Sequence, residues 1–138
     1  MLRGTTSEVC GEIEDGSLDL AYIDGDHTLR GITIDLVNMF PKVREGGWIG
    51  GDDFVPSIWQ HRRNFEPTLV FPFAVHFAEA MDVAVYGLPH SQFLIHKVRG
   101  FSFTDLVGTY GDTSLRSQFV ESQARSGPAD SDGATVGA

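Results

Sequence analysis

Residues 18–54 contain the feature that most limits the possible folds, a strand, a loop, a helix and a second strand in close succession. Short apolar runs predict the strands at Leu18–Ile23 and Trp48–Ile49. Between them, residues 28–40 carry apolar side chains at the three-to-four-residue spacing of a helix, which ends before Pro41. A strand, a crossover helix and a second strand form a βαβ unit with parallel strands. The pattern therefore predicts an α/β fold with a parallel βαβ core.

Acidic residues follow both strands and are expected to meet at one edge of the sheet. Asp24 and His27 follow the first strand, and Asp52 and Asp53 follow the second. Ligands of open α/β sheets bind at the carboxyl ends of the strands. Adjacent carboxylates repel one another unless they share a cation, and hard oxygen ligands suit Mg²⁺ or another divalent cation. The alternative is that these carboxylates only cap the helix and solvate the strand ends, which suits Asp26 best.

His27 is the candidate general base of this crevice. It lies three residues after Asp24, in the loop just before the helix. An imidazole serves this purpose because its ordinary pKa lies near neutrality. We therefore predict a metal site at Asp24, Asp52 and Asp53, with His27 as the catalytic residue beside it.

The rest of the chain predicts fewer regular elements. Thr5 and Glu8 have the spacing of a capping box at the start of a helix. Residues 121–138 are rich in Gly, Ala, Ser and Asp, so we expect a disordered tail after a domain at residues 1–120. The other expected elements are a helix within residues 3–16, a short helix or loop at 56–65, a helix at 73–80, an antiparallel hairpin of strands 82–86 and 92–96, and a loop with a short helix within 101–120.

Composition narrows the functional classes. The chain has 138 residues and a net charge of −9, which disfavours binding to nucleic acid or to an anionic membrane through a basic surface. It has no apolar run long enough to span a bilayer and no signal peptide. Its single cysteine, Cys10, cannot form an internal disulfide. We expect a cytoplasmic protein.

The two acidic motifs also carry a family resemblance. The segment LDLAYIDGDHTLRGITIDL, followed by GGWIGGDDF, resembles the second half of class I S-adenosylmethionine-dependent methyltransferases. It is most similar to the branch called methyltransferase family 24, and its acidic spacing also resembles that of cation-dependent O-methyltransferases. In the cation-dependent enzymes an aspartate after the fourth strand and an acidic pair after the fifth hold Mg²⁺. The resemblance thus implies Mg²⁺ at Asp24, Asp52 and Asp53. It places His27 where the catechol and caffeoyl-CoA enzymes have a lysine base.

The resemblance also implies where the cofactor would bind. The segment containing Gly4, Thr5 and Thr6 is similar to the one that lines the adenine pocket in the family, and Asp24 and Gly25 complete the implied S-adenosylmethionine site. The predicted hairpin corresponds to the antiparallel sixth and seventh strands of the family. The glycine-rich cofactor loop and the acidic ribose-binding residue of the family would precede the first residue. We therefore expect a partial Rossmann-like methyltransferase fold that corresponds to the carboxyl-terminal half.

The implied function is metal-assisted O-methylation of a small-molecule or sugar hydroxyl with S-adenosylmethionine. One alternative is a non-catalytic remnant or assembly module of the same fold, and another is a metal-dependent, hydroxylase-like relative. The first strand has no predicted partner on its outer side. Its exposed edge therefore favours association with a second copy of the chain.

Overall fold

The computed structural model describes residues 1–56, 59–61 and 66–111, with the backbone alone at 59–61 and 66–67. The predicted tail at 121–138 lies outside these residues. The helices are α1 (Thr6–Val9), a short 3-10 helix (Cys10–Glu12), α2 (Leu29–Met39) and α3 (Val70–Ala80). The strands are β1 (Leu18–Ile23), β2 (Val43–Gly51), β3 (Trp59–His61), β4 (Glu66–Pro67), β5 (Val83–Leu88), β6 (Gln92–Arg99) and β7 (Ser102–Asp105).

Five of the strands form one mixed sheet in the order β1-β2-β6-β5-β7. The β1–β2 pair is parallel and is connected by α2, as expected of a βαβ unit. Strand β6 pairs antiparallel with both β2 and β5, and β7 pairs parallel with β5. The predicted fold class is confirmed: the chain has a partial Rossmann-like α/β fold with a parallel βαβ core followed by an antiparallel hairpin.

The start of α2 is organised differently from the prediction. Thr28 is the N-cap residue, because its side chain accepts a hydrogen bond from the N–H of Gly31 at 3.2 Å. Asp26 instead accepts hydrogen bonds from the N–H of Thr28 at 3.0 Å and from its hydroxyl at 2.9 Å. The interpretation of Asp26 as the cap was wrong. It holds the capping residue in place through a local turn.

The apolar face of α2 is narrower than its sequence indicates. Ile32 and Leu36 are fully buried, whereas Leu29 and Val37 are more than half exposed. Helix α3 packs beside α2, and both cover the same face of the sheet. The core between these layers is formed by the following buried side chains: Ala21, Ile23, Ile32, Leu36, Val43, Ile49, Phe54, Val70, Ala74, Ala78, Val83, Val85, Phe93, Ile95 and Tyr110.

Three other expectations need correction. Helix α3 begins at Val70 rather than at residue 73, because Pro72 falls in the first turn, where a missing N–H costs no helical hydrogen bond. The backbone at Trp59–His61 forms a strand that pairs with β4, where a helix or loop was expected. Ser102–Asp105 forms β7, which the sequence pattern did not predict.

The other face of the sheet has no helix packed on it within the described part of the chain. On β1, Leu20 and Tyr22 point to this face and are 55% and 54% exposed. Further along the sheet, the Trp48 ring stacks on His96 at a centroid distance of 3.7 Å. Within the described residues, strand β1 is therefore buried on one face only. No helix among the described residues is both long and apolar enough to cross a membrane.

Candidate functional site

The two acidic loops lie side by side at the carboxyl ends of β1 and β2. The register pairs Ile23 with Gly51, the last residues of the two strands. Beyond that pair, the N–H of Asp52 donates to the carbonyl of Ile23 at 3.2 Å, which fastens the second loop to the first. The parallel arrangement thus brings Asp24, His27, Asp52 and Asp53 to one edge of the sheet, as the sequence predicted.

His27 and Asp53 form the most specific side-chain contact of this edge. The His27 Nδ1 atom lies 3.6 Å from Asp53 Oδ2, and the two side chains are 18% and 25% exposed. That distance is an ion-pair distance and is longer than a hydrogen bond. The carbonyl of His27 accepts a hydrogen bond from the N–H of Leu69 at 3.0 Å, which ties the His27 loop to the start of α3. The pair places an imidazole next to a carboxylate at the carboxyl edge of the parallel strands.

The backbone of Phe54 anchors Asp53 to the core. The N–H of Phe54 donates to the carbonyl of Ser91 at 2.8 Å, and its carbonyl accepts a hydrogen bond from the Tyr110 hydroxyl. The Phe54 ring is fully buried and lies within 5.3 Å, centroid to centroid, of the rings of Phe71, Phe93 and Tyr110. Asp53 itself has a φ of +59°, a left-handed conformation that aspartate tolerates better than most residues. Because both polar backbone groups of the next residue are fixed, the position of Asp53 is fixed as well.

The other two carboxylates occupy different environments. Asp52 Oδ1 accepts a hydrogen bond from the N–H of Asp53 at 2.8 Å, and Asp24 is exposed. Tyr22 lies close to all three carboxylates: desolvation and then the negative charges of Asp52, Asp24 and Asp53 raise the pKa of its phenol. The crevice is therefore strongly negative next to an exposed aromatic ring.

The side chains predicted to bind a metal ion do not lie together as a metal site would require. In the part of the chain that the structure describes, no group of three aspartate, glutamate, histidine or cysteine side chains lies close enough together to hold one metal ion. The Asp52 carboxylate is engaged by the neighbouring amide, and Asp53 faces His27. The carboxylates as placed here do not form one coordination set. Mg²⁺ at Asp24, Asp52 and Asp53 stays a prediction, and no catalytic step is derived through it.

The residues predicted to bind the cofactor converge on Asp35. The Thr6 hydroxyl donates to Asp35 Oδ1 at 2.5 Å, which joins α1 to α2. A Cβ atom at Gly25 would lie 2.9 Å from Asp35 Oδ2, so the Asp35 carboxylate lies close to the backbone of Gly25. Gly4 and Thr5 precede α1, where Glu8 accepts hydrogen bonds from the N–H of Thr5 at 2.7 Å and from its hydroxyl at 2.9 Å. Thr6 and Gly25 thus both lie next to the Asp35 carboxylate, and the cofactor site itself stays a prediction.

Sequence reasoning missed two contributors to the site. Asp35, in α2, lies next to both segments predicted to bind the cofactor. Tyr110 fixes the loop that carries Asp53, although the two residues are far apart in sequence. Asp35 lies within the segment LDLAYIDGDHTLRGITIDL that carries the family resemblance, so the sequence could have indicated a role for it. No sequence pattern indicated the role of Tyr110.

The geometry can now be compared with known proteins. Residues 1–54 match the model of a methyltransferase domain family. The resemblance to methyltransferase family 24 is confirmed over this range, which contains both acidic motifs and ends at Phe54. It supports the expectation that the chain derives from a transferase enzyme family. No curated protein matches the chain.

Solved structures with a similar backbone include MycE methyltransferase from the mycinamycin biosynthetic pathway. Its complex with Mg and SAH is 16% identical, with a TM-score of 0.45, and the match covers 85% of this chain and 35% of that one. The complex with Mg, SAH and mycinamycin VI is 15% identical, again with a TM-score of 0.45, and the match covers 85% and 34%. The chain thus spans about a third of the length of these structures. A likeness at this level transfers no ligand or activity of MycE to this chain.

Proposed function

We propose that this chain carries part of the active site of an S-adenosylmethionine-dependent methyltransferase that methylates a hydroxyl of a small molecule or sugar in the cytoplasm. The observation that supports this most is the His27–Asp53 pair, 3.6 Å apart at the carboxyl edge of the parallel strands. Both members lie within the 54 residues that match the methyltransferase model. A base would assist methyl transfer to a hydroxyl oxygen, and in this proposal His27 is that base.

In the proposed reaction, the methyl group of S-adenosylmethionine would pass to the acceptor oxygen, and the cofactor would leave as a neutral thioether. His27 takes the hydroxyl proton, and Asp53 orients the imidazole and stabilises the resulting imidazolium. The 3.6 Å separation is compatible with this role, because catalytic hydrogen bonds are often long before substrate binds.

The cofactor would bind between the Gly4–Thr6 segment and the loop that contains Asp24 and Gly25. Support comes from Asp35, which accepts a hydrogen bond from Thr6 and lies close to the backbone of Gly25. S-adenosylmethionine would supply the methyl group. The residues present would position its adenosine part, and the exposed Asp24 carboxylate would accept hydrogen bonds from it.

Metal assistance is a separate part of the proposal and is tested separately. Asp52 Oδ1 accepts the amide of Asp53 at 2.8 Å, and the second oxygen of the carboxylate would be the metal ligand. If Mg²⁺ takes part, calorimetric titration should detect Mg²⁺ binding that is lost in Asp52→Asn. Unchanged binding in that variant would contradict the assignment of Asp52 as a ligand.

The test of the transferase is calorimetric titration of residues 1–138 with S-adenosylmethionine, in the wild type and in Asp24→Asn. We expect binding to the wild type and at least tenfold weaker binding to the variant. The matched control is Asp19→Asn, which removes a carboxylate of the same kind from the other end of β1, where it pairs with exposed Arg44. Equal affinity in all three proteins, or no binding to the wild type, would contradict the proposed cofactor site.

A further inference from the structure

The start of helix α3 contacts the segments that carry both residues of the proposed base. Leu69 is the N-cap residue of α3, and its N–H donates to the carbonyl of His27 at 3.0 Å. In the first turn of the helix, the Phe71 ring meets the Phe54 ring edge to face, with the centroids 5.1 Å apart and the planes at 87°. Phe54 directly follows Asp53. One helix turn therefore touches the His27 segment and the Asp53 segment.

The contact between His27 and Asp53 does not fix its own geometry. Their nitrogen and oxygen atoms are 3.6 Å apart, which is longer than a hydrogen bond. Both side chains are partly exposed, and an ion pair in contact with solvent contributes little to the stability of a fold. The separation of the two side chains therefore depends on the backbone segments that carry them.

Two separate anchors hold these segments. The His27 segment is held by the amide of Leu69, at the start of α3. The Phe54 segment is held by the carbonyl of Ser91, in the turn between β5 and β6, and by the hydroxyl of Tyr110, after β7. Because the anchors belong to different elements, their relative position depends on a contact that joins them.

Phe71 supplies such a contact. Its ring lies 5.1 Å from the Phe54 ring and 4.8 Å from the Tyr110 ring, centroid to centroid. The ring of Phe103, in β7, lies 6.0 Å away. Aromatic pairs at these distances contribute more to stability than their buried area alone. The ring of Phe71 thus joins the start of α3 to the group of rings that surrounds Phe54.

We propose that Phe71 is a positioning residue for the His27–Asp53 pair. It docks the start of α3, and with it the carbonyl of His27, on the ring that follows Asp53. In this way it sets the distance between the imidazole and the carboxylate. The inference rests on the proposed function where it treats this pair as the base, whereas the docking is a property of the fold.

Two matched variants separate positioning from a general effect on stability. Phe71→Leu removes the ring and keeps an apolar side chain. Phe77→Leu is the control, because Phe77 is also a partly buried residue of α3 and meets Phe40 edge to face, at 5.4 Å and 80°. Both variants remove the same kind of ring contact from the same helix, and Phe71 lies at the end of that helix that contacts the His27 segment.

Nuclear magnetic resonance of residues 1–138 measures the effect on the pair. In the wild type, we expect a nuclear Overhauser cross-peak between the His27 ring protons and the β-protons of Asp53. Phe71→Leu should lose this cross-peak, and the Leu69 amide should exchange with solvent about tenfold faster. Phe77→Leu should keep the cross-peak and the exchange rate of the wild type. Absence of the cross-peak from the wild type, its persistence in Phe71→Leu, or its loss in both variants overturns the proposal.

A measurement on the wild type does not depend on how well a variant folds. If Phe71 docks the two segments as one unit, the amides of Leu69 and Phe54 open together, and their hydrogen-exchange protection factors should agree within about threefold. A larger difference means that the segments open separately and overturns the proposal. These measurements use no cofactor, so their failure is distinct from a failure of the titration with S-adenosylmethionine.

Discussion

The most direct test of how the first acidic loop is built is Gly31→Ala. Gly31 is the third residue of α2, and its N–H donates to the capping hydroxyl of Thr28. A Cβ atom at this position would lie 2.2 Å from the carbonyl oxygen of Asp26 and 2.4 Å from its Cβ. The first turn of α2 is therefore in direct contact with the loop between Asp24 and His27. A methyl group would push this loop away from the helix.

The magnitude follows from two opposing effects. Alanine is favoured over glycine in a helix by about 1 kcal/mol. Overpacking costs about 1–3 kcal/mol and occasionally more. The upper end applies at Gly31 because the overlapping atom belongs to the backbone and cannot rotate aside. We expect Gly31→Ala to lower the free energy of unfolding by about 2 kcal/mol, which would lower the melting temperature by roughly 10 °C in a domain of this size.

Urea unfolding followed by far-ultraviolet circular dichroism measures this change. The matched control is Gly11→Ala in the 3-10 helix, where a Cβ atom would meet nothing within 4 Å. The free energy of unfolding of Gly11→Ala should equal that of the wild type or exceed it by up to about 1 kcal/mol. If Gly31→Ala were as stable as the control, the close contact between α2 and the Asp26 loop would be refuted.

Two further predictions concern the loop that anchors Asp53. Tyr110→Phe removes the hydroxyl that donates to the buried carbonyl of Phe54, and the free energy of unfolding should fall by about 1–3 kcal/mol. Burial, and then the charge of Asp105, raise the pKa of Tyr110. The contribution of Tyr110 to folding stability is therefore present below pH 10 and is lost as the pH rises through the folded-state pKa. Urea titrations above pH 10 should show that Tyr110→Phe loses less stability at alkaline pH than the wild type. Desolvation acts to raise the pKa of Asp105, but the hydrogen bonds from the N–H groups of Tyr110, Gly108 and Val107 together lower it. The contribution of Asp105 to folding stability is therefore present above about pH 4 and is lost as the pH falls through the folded-state pKa. Asp105→Asn should therefore be less stable at pH 7 and show a smaller acid loss, and an unchanged acid profile would contradict this role.

Local patterns decided the outline of the fold. The apolar run at Leu18–Ile23 and the spacing of apolar residues before Pro41 predicted β1 and α2 within one residue of their observed bounds. The short connection after β5 predicted the antiparallel hairpin. These features depend on residues close in sequence, so the pattern itself contains the cause. The same holds for the meeting of Asp24 with Asp52 and Asp53, because parallel strands always end at one edge.

Long-range contacts decided what the local patterns left open. Strand β7 lacks a strong pattern of its own and exists because β5 offers it an edge, and β3 depends on its pairing with β4. Leu29 and Val37 have the spacing of core residues, but they are exposed because α3 and the sheet contact only the Ile32–Leu36 side of α2 within the described residues.

The candidate site likewise depends partly on local sequence patterns and partly on tertiary contacts. The sequence by itself determined that three carboxylates and a histidine share one edge, because strand direction and motif spacing are local properties. Only the tertiary structure decided that His27 faces Asp53, that Asp35 lies next to both Thr6 and Gly25, and that Tyr110 fixes Phe54. These contacts join residues up to 56 positions apart. Their formation depends on how helices and strands pack, and no spacing within a single segment encodes that.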